Sequence, residues 1–416
     1  MRFKLIYMDN GATTKIDENV LKSMMPYFTE KYANPSSSHS FGQDAKDAVD
    51  KARGRIAKAI GADEHEIFFT SGGTESNNWA LKGLAFAAMN AGKIDASGKK
   101  IKSGEHKNHI ITTKIEHKSI LNVCEWLKEN AGFETTYLDV DKDGFVNPED
   151  IKKAITKKTL LVSIIHGNNE VGTIQDIETI GNICKNAGVL FHTDVCQSFT
   201  KTLVDVQKQN IDLLTLNAHK VHGPKGIGAL FIRKGVEVMD WQQGGNHEKG
   251  MRSGTENVHG IVGFGEAVKI AMKDVNKNVK HMILLRDKLI KVIMDNVENV
   301  KLNGYYKEGN SDKRLCNNVN FSFLAIEGES LGGYLDQKFV CSSTGSACNA
   351  RNLEPSYVLK AMELTDEEAN GSLRLTLSKF NTEEEIDYVA KTIPKIVEKL
   401  RHISPIGKVV NYFKKK

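Results

Sequence analysis

Six short apolar runs narrow the folds open to this chain: EIFFT (66–70), HIITTK (109–114), LLVSIIH (160–166), VLFHTDV (189–195), LLTLNA (213–218) and IGALFI (227–232). Their apolar character is nearly continuous, which suits strands covered on both faces rather than strands with one wet side. The segments between them carry helical spacing. Over 43–60, Ala45, Ala48, Val49, Ala52, Ile56 and Ile60 recur on one face and Gly61 stops the run. The alternation predicts an α/β layer fold, a mostly parallel sheet between helices.

From about residue 263 the rhythm changes to a long helical stretch, then VNFSFLAI, a Gly/Ser-rich segment, LRLTLSKF, and an acidic-to-basic helix from Asn381 and Thr382. This predicts a smaller α+β domain. The expected division is a large domain over 15–262 and a small one formed by 1–14 and 263–416, within the length at which chains split into units. Residues 92–108, rich in Gly, Lys and Ser, break the βα rhythm and read as an exposed loop.

No apolar run approaches the roughly 18 residues needed to span a bilayer. The N-terminus turns polar and acidic too soon for the apolar core of a secretion signal, so the cytoplasm is the expected address. The six cysteines are scattered without a CxxC pair, which predicts free thiols in a reducing compartment. Lys408, Lys414, Lys415 and Lys416 supply much of the net charge of +5, and no basic stripe interleaved with aromatics points to nucleic acid. DVDKDGFVNPED (139–150) nearly matches a calcium loop, but FETTYLDV before it reads as strand, Pro148 falls inside and position twelve is Asp150. A charged turn is the expected form.

Three segments carry chemistry. In LNAHKVHGPKGIGALFI, His219 and Lys220 end a strand, and a lysine in a partly desolvated pocket there loses its proton more readily, as a nucleophile toward carbonyls requires. Asp194 in FHTDVCQS sits at the C-terminal end of another strand, where ligands collect in open α/β sheets. A buried carboxylate there needs a positive partner. In FFTSGGTESNNWALKG, Gly72, Gly73 and Thr74 lie where a helix starts, so its free N–H groups suit a phosphate. Cys348, in CSSTGSACNARNLEPSYVL, stands among small and polar residues that predict an accessible thiol on a mobile loop over about 341–354.

These segments resemble, in order, the motifs of the cysteine desulfurases of the NifS/IscS type, in the class V aminotransferase group of pyridoxal phosphate (PLP) enzymes. The likeness runs through YMDNGATT, NPSSSHSFG, FTSGGTES, IEHKSIL, NNEVGTIQD, HTDVCQ, AHKVHGPKGIGAL, GMRSGTENVHGIVGFGEA, STGSAC, LEPSYVL, LRLTLSKFNTEEEID and LRHISPI. It implies the PLP-dependent transferase fold type I, a homodimer, and release of L-alanine from L-cysteine with the sulfur left as a persulfide on Cys348. It also implies roles for single residues. Lys220 would hold PLP and move the substrate α-proton, Asp194 would pair with the pyridinium nitrogen, and His117 would stack on the ring and serve as a catalytic acid or base. Gln197 and Asn169 would lie near the ring hydroxyl oxygen, Asn169 also near the substrate carboxylate. Gly73, Thr74, Asn217 and His219 would hold the phosphate, with Thr255 reaching over from a second subunit. Arg374 would clamp the substrate carboxylate.

The sequence departs from the family pattern at Asn217, where serine or threonine is usual, at Gly11 in place of alanine, and at Asn246 in place of glycine. The long STGSAC loop implies a scaffold protein as sulfur acceptor, serving iron–sulfur cluster assembly or tRNA thiolation. Two rivals are a selenocysteine lyase, separated by substrate preference, and a non-catalytic interaction subunit, which a colourless purified protein would favour.

Overall fold

The computed structural model describes residues 5–90, 107–344 and 355–403. Cys348, nearly all of the 92–108 segment and the basic tail lie outside them. In chain order the strands are β1 (Ile6–Tyr7), β2 (Ile67–Thr70), β3 (His109–Thr113), β4 (Glu134–Leu138), β5 (Thr159–Ser163) and β6 (Leu190–Asp194). They continue with β7 (Leu213–Asn217), β8 (Gly228–Ile232), β9 (Val300–Leu302), β10 (Asn318–Phe323), β11 (Val340–Cys341) and β12 (Ser372–Thr376).

Seven strands form the main sheet in the order β2-β8-β7-β6-β5-β3-β4. The pairs β7–β6, β6–β5, β5–β3 and β3–β4 are parallel, whereas β8 runs antiparallel to both β2 and β7. The exception has a physical reason: β7 and β8 are joined by residues 218–227 alone, too short for the crossover that a parallel neighbour demands. The α/β architecture expected from the six apolar runs is the one observed.

The pleat divides each strand between two cores. In β2, Ile67 and Phe69 face one side and Phe68 the other, and in β8 Ala229 and Phe231 oppose Leu230 and Ile232. Helices Ser40–Ile60 and Val258–Lys273 cover the first face, and helices Gly73–Asn90 and Lys118–Ala131 the second. The first of these ends at Gly61 in the left-handed conformation (φ 71°), whose N–H closes on Ala57 O.

A separate core surrounds the three-stranded antiparallel sheet β12-β10-β9, with helices Val275–Asn296, Gly328–Asp336 and Glu383–Ile403 packed on it. Beside it β1 pairs with β11 in parallel. Helix Val258–Lys273 stays on the main core as far as Met272, and Val358 and Leu359 return to that core. The segment resembling a calcium loop follows β4 as a turn in which the Asp141 carboxylate accepts the N–H groups of Asp143 and Phe145.

Candidate active site

The C-terminal ends of the parallel strands open into a cleft of about 320 Å³. Asp194 ends β6, Asn217 ends β7, and His117 begins the helix that follows β3. Helix Gly73–Asn90 starts at the same point, so its first N–H groups, which have no partner within the helix, face the cleft. Nine residues expected from the sequence line this space: Gly73, Thr74, His117, Asn169, Asp194, Asn217, His219, Lys220 and Arg374.

Asp194 is buried, which alone pushes its carboxyl pKa up. The Asn77 Nδ2 donation to Oδ2 (2.8 Å), the nearby His117 ring and the Cys196 N–H on Oδ1 (2.8 Å) outweigh that and hold the group below the ordinary carboxylate range. The result is a fixed negative charge on the cleft floor. Burial lowers His117, as does the charge of Lys220, against the opposing effect of Asp194. His117 caps its helix: Nδ1 accepts the Ser119 N–H (3.2 Å) and lies 2.7 Å from Ser119 Oγ, which leaves Nε2 to carry the proton of the neutral ring.

Lys220 is half-buried, and its N–H donates to Asn217 Oδ1 (3.3 Å). The Asn217 amide thus organises the lysine turn while its Nδ2 lies 3.5 Å from where a Gly73 Cβ would stand. A side chain at Gly73 would also meet Cys196 Sγ at 2.7 Å, so glycine keeps the helix start open. Burial, with Lys220 and Lys225 nearby, lowers His219 to about 4, and its Nδ1 lies 3.1 Å from Thr13 Oγ1.

Arg374 comes from the small sheet and faces the cleft from the opposite side. Nη2 pairs with Asp9 Oδ1 (2.9 Å), Nη1 donates to Asn169 O (3.1 Å), and Nε is buried with no partner among the described residues. Gly11 donates its N–H to Thr376 Oγ1 (2.7 Å); a Cβ there would come within 3.1 Å of Thr376 Cγ2 and 3.5 Å of Arg374 Cζ. An alanine at this position would require the Thr376 side chain to give by a few tenths of an ångström.

Two expected residues stand apart. Gln197 is buried and donates Nε2 to Gly11 O (2.9 Å), beside the cleft rather than in its lining. Thr255 lines a different cavity of about 90 Å³ with Arg252 and Gly254. The sequence reading missed Asn77, Ser119 and Cys196 as cleft residues. Asn77 stands four residues after Gly73 on one helix face, a spacing that could have found it, whereas Ser119, in a helix, and Cys196, in a turn, carry no such signal.

The donor set suits a phosphorylated pyridine aldehyde. A helix start can face a phosphate, a buried anion can face a ring N–H, an amine can face the carbonyl, and the buried Oδ1 of Asn169 and Oδ1 of Asn77 lack partners among the described residues.

Comparison with known proteins adds the family. Residues 6–389 match the aminotransferase class-V family. The chain is 48% identical to the cysteine desulfurase IscS of Clostridium botulinum (strain Hall) over 413 residues, 99% of each sequence. Among solved structures it is similar to a NifS-like protein, with a TM-score of 0.85 and 38% identity over 95% of this chain and all of that one. It is also similar to SspA, solved in complex with cysteine, with a TM-score of 0.76 and 36% identity over 91% of this chain and 100% of that one.

Proposed function

The chain belongs to the aminotransferase class-V family and is a cysteine desulfurase, and from that premise we propose that its own residues divide L-cysteine into L-alanine and a sulfur atom held as a persulfide on Cys348. One observation carries this reading: a lysine amine, a buried anionic aspartate, an imidazole and an arginine meet around a single cleft. PLP, on which the family depends, supplies when bound an aldehyde for amines and a ring that draws electrons from the substrate's α-carbon.

Gly73, Thr74, Asn217 and His219 are assigned to the phosphate, Asp194 to the pyridine nitrogen, His117 to the ring face, and Gln197 and Asn169 to the ring hydroxyl side. Thr255, outside this chain's own cleft, is assigned to the cleft of a second copy in a homodimer. Arg374 offers its unpartnered Nε to the substrate carboxylate, in a fork already held flat by Asp9 and Asn169 O. The Lys220 amine takes the proton from the substrate α-carbon. His117 keeps a proton at Nε2 beside it.

Cys348 then attacks the substrate sulfur. A sulfur–sulfur bond forms, the bond from sulfur to the β-carbon breaks with its electron pair left on carbon, and a proton completes the methyl group of alanine. Thiol and cysteine become persulfide and alanine, so no outside oxidant or reductant is required. Chain connectivity permits the approach: Ser343 is paired with Arg374, and Cys348 follows five residues later, within about 18 Å at full extension.

Beyond the chain, we assign the sulfur to an acceptor protein such as an iron–sulfur scaffold, with tRNA thiolation as a further use, and place the enzyme in the cytoplasm. No helix among the described residues is long and apolar enough to cross a membrane. Borohydride reduction of the protein reconstituted with PLP, followed by peptide mapping, tests the site. The group should be fixed to the Lys220 peptide and lost in Lys220→Ala. Attachment at another lysine would overturn the assignment.

A further inference from the structure

Two fully buried glutamates flank the cleft without lining it, each one residue from a cleft side chain: Glu116 precedes His117 and Glu170 follows Asn169. Both hold the chain just downstream of the segment that carries Cys348. Glu170 Oε2 accepts the Ser356 hydroxyl (2.5 Å), and the Glu116 carbonyl accepts the Tyr357 hydroxyl (2.7 Å). The Tyr357 ring lies under the Lys118 ammonium at 4.1 Å. Val358 and Leu359 are fully buried in the main core.

The upstream end is fastened on the same wall. Ser343 and Arg374 exchange main-chain hydrogen bonds of 3.2 and 2.7 Å, and Arg374 Nη1 reaches Asn169 O. The chain therefore leaves from Arg374 and returns onto Glu170, the neighbour of Asn169. The wall itself is rigid at that point, since Asn318 and Asn320 each donate to Glu170 O at 3.1 Å.

A helix cap explains part of this and not the rest. Ser356 Oγ accepts the Leu359 N–H (3.2 Å), which any N-cap serine does. A cap needs no interior carboxylate, and burying one is unfavourable without a donor aimed at it. Burial lifts Glu170 to about 7, with the Ser356 hydroxyl bond opposing, followed by Arg374 and Lys118.

We propose that Glu170 and Ser356 are a positioning pair for the sulfur-transfer half of the reaction. They pin the downstream end of the Cys348 segment to the wall that presents Asn169, and they touch neither substrate nor cofactor. The proposal rests on the reading of Cys348 as sulfur acceptor. A fixed return point keeps the thiol's effective concentration at the cleft high, and because Tyr357 and Val358 stay fastened, releasing the pair loosens the direction of the segment rather than its length.

The test separates two rates in the holoenzyme. Exchange of the α-hydrogen of L-alanine for deuterium reads the Lys220 side of the cleft without needing a sulfur acceptor. Trapping and mass analysis of the Cys348 peptide after mixing with L-cysteine reads the transfer. Ser356→Ala and Glu170→Leu should each slow persulfide formation about fivefold, the loss of one buried hydrogen bond, with exchange unchanged. Ser356→Thr, which keeps the donor, and Glu170→Gln, which keeps an acceptor, should restore it. Together, Ser356→Ala and Glu170→Leu should be no slower than the slower single variant. Parallel loss of both rates in Ser356→Ala and Glu170→Leu, or an unchanged persulfide rate, would overturn the proposal. Persulfide formation elsewhere in Cys348→Ser would instead sink the acceptor assignment on which it rests.

Discussion

Asp194 stays charged in a place where a bare carboxylate would take up a proton, because Asn77 and the Cys196 N–H are aimed at its two oxygens. Glu116 shows the opposite outcome. Its Oε1 accepts the Thr113 hydroxyl and the Ile165 N–H, but its Oε2 is buried without a partner among the described residues. Burial, outweighing those two bonds and reinforced by the charge of Asp194, raises it to about 8. A carboxyl raised on folding contributes stability that is complete below its unfolded pKa and is lost as pH rises through the folded value. Melting temperature should therefore fall between about pH 5 and pH 8 more steeply in the native protein than in Glu116→Gln. Glu170 adds a similar slope to both proteins. Equal slopes would show that Glu116 is ionised when folded. Asp194 could be read from its strand end, Lys220 from the glycine-rich segment around it, although it lies in the turn after β7 rather than at the strand end, and His117 from the family resemblance. Glu116 and Glu170 lie within the motifs IEHKSIL and NNEVGTIQD, but nothing in those letters says that the tertiary fold buries their carboxyl groups.

The secondary elements were legible where one local rule decided them. The six apolar runs became strands because both faces of the main sheet are covered, and Gly61 stopped its helix by adopting a conformation that other residues resist. The antiparallel sense of β8 was not legible in any single run. It follows from the length of the connection before it, which gains meaning once β7 and β8 are known to be neighbours. Close approach of elements is equally hidden. Helix Ile177–Ala187 meets the main chain near residue 209 at Gly181, where a Cβ would lie 1.9 Å from Gln209 O. Backbone cannot yield as a flexible side chain does. Gly181→Ala should thus cost about 3 kcal/mol, read as a lower denaturant midpoint with an unchanged slope. A loss within about 0.5 kcal/mol would mean that the helix shifts freely on the sheet.

At the scale of the molecule, the cleft exists because the two sheets present their contributions to one space. The main sheet supplies Asp194, Asn217 and Lys220, and the small sheet supplies Arg374. The N-terminal segment joins them. Asn10 Nδ2 donates to Thr376 O (2.8 Å), Thr14 Oγ1 donates to His219 O (2.8 Å), and Asp9 pairs with Arg374. In the proposed reaction that arrangement would hold the substrate's amine and carboxylate from opposite sides and so turn the α-proton toward Lys220. Family motifs made the parts recognisable, but no stretch of sequence states that Arg374, far along the chain, faces Asn169. The most direct measurement is mass analysis of the Cys348 peptide after the PLP-loaded enzyme has met sulfur-labelled L-cysteine. The account predicts one added labelled sulfur at Cys348, alanine in solution, and neither in Lys220→Ala. Labelled sulfur released with Cys348 unmodified, or alanine formed without Lys220, would contradict it.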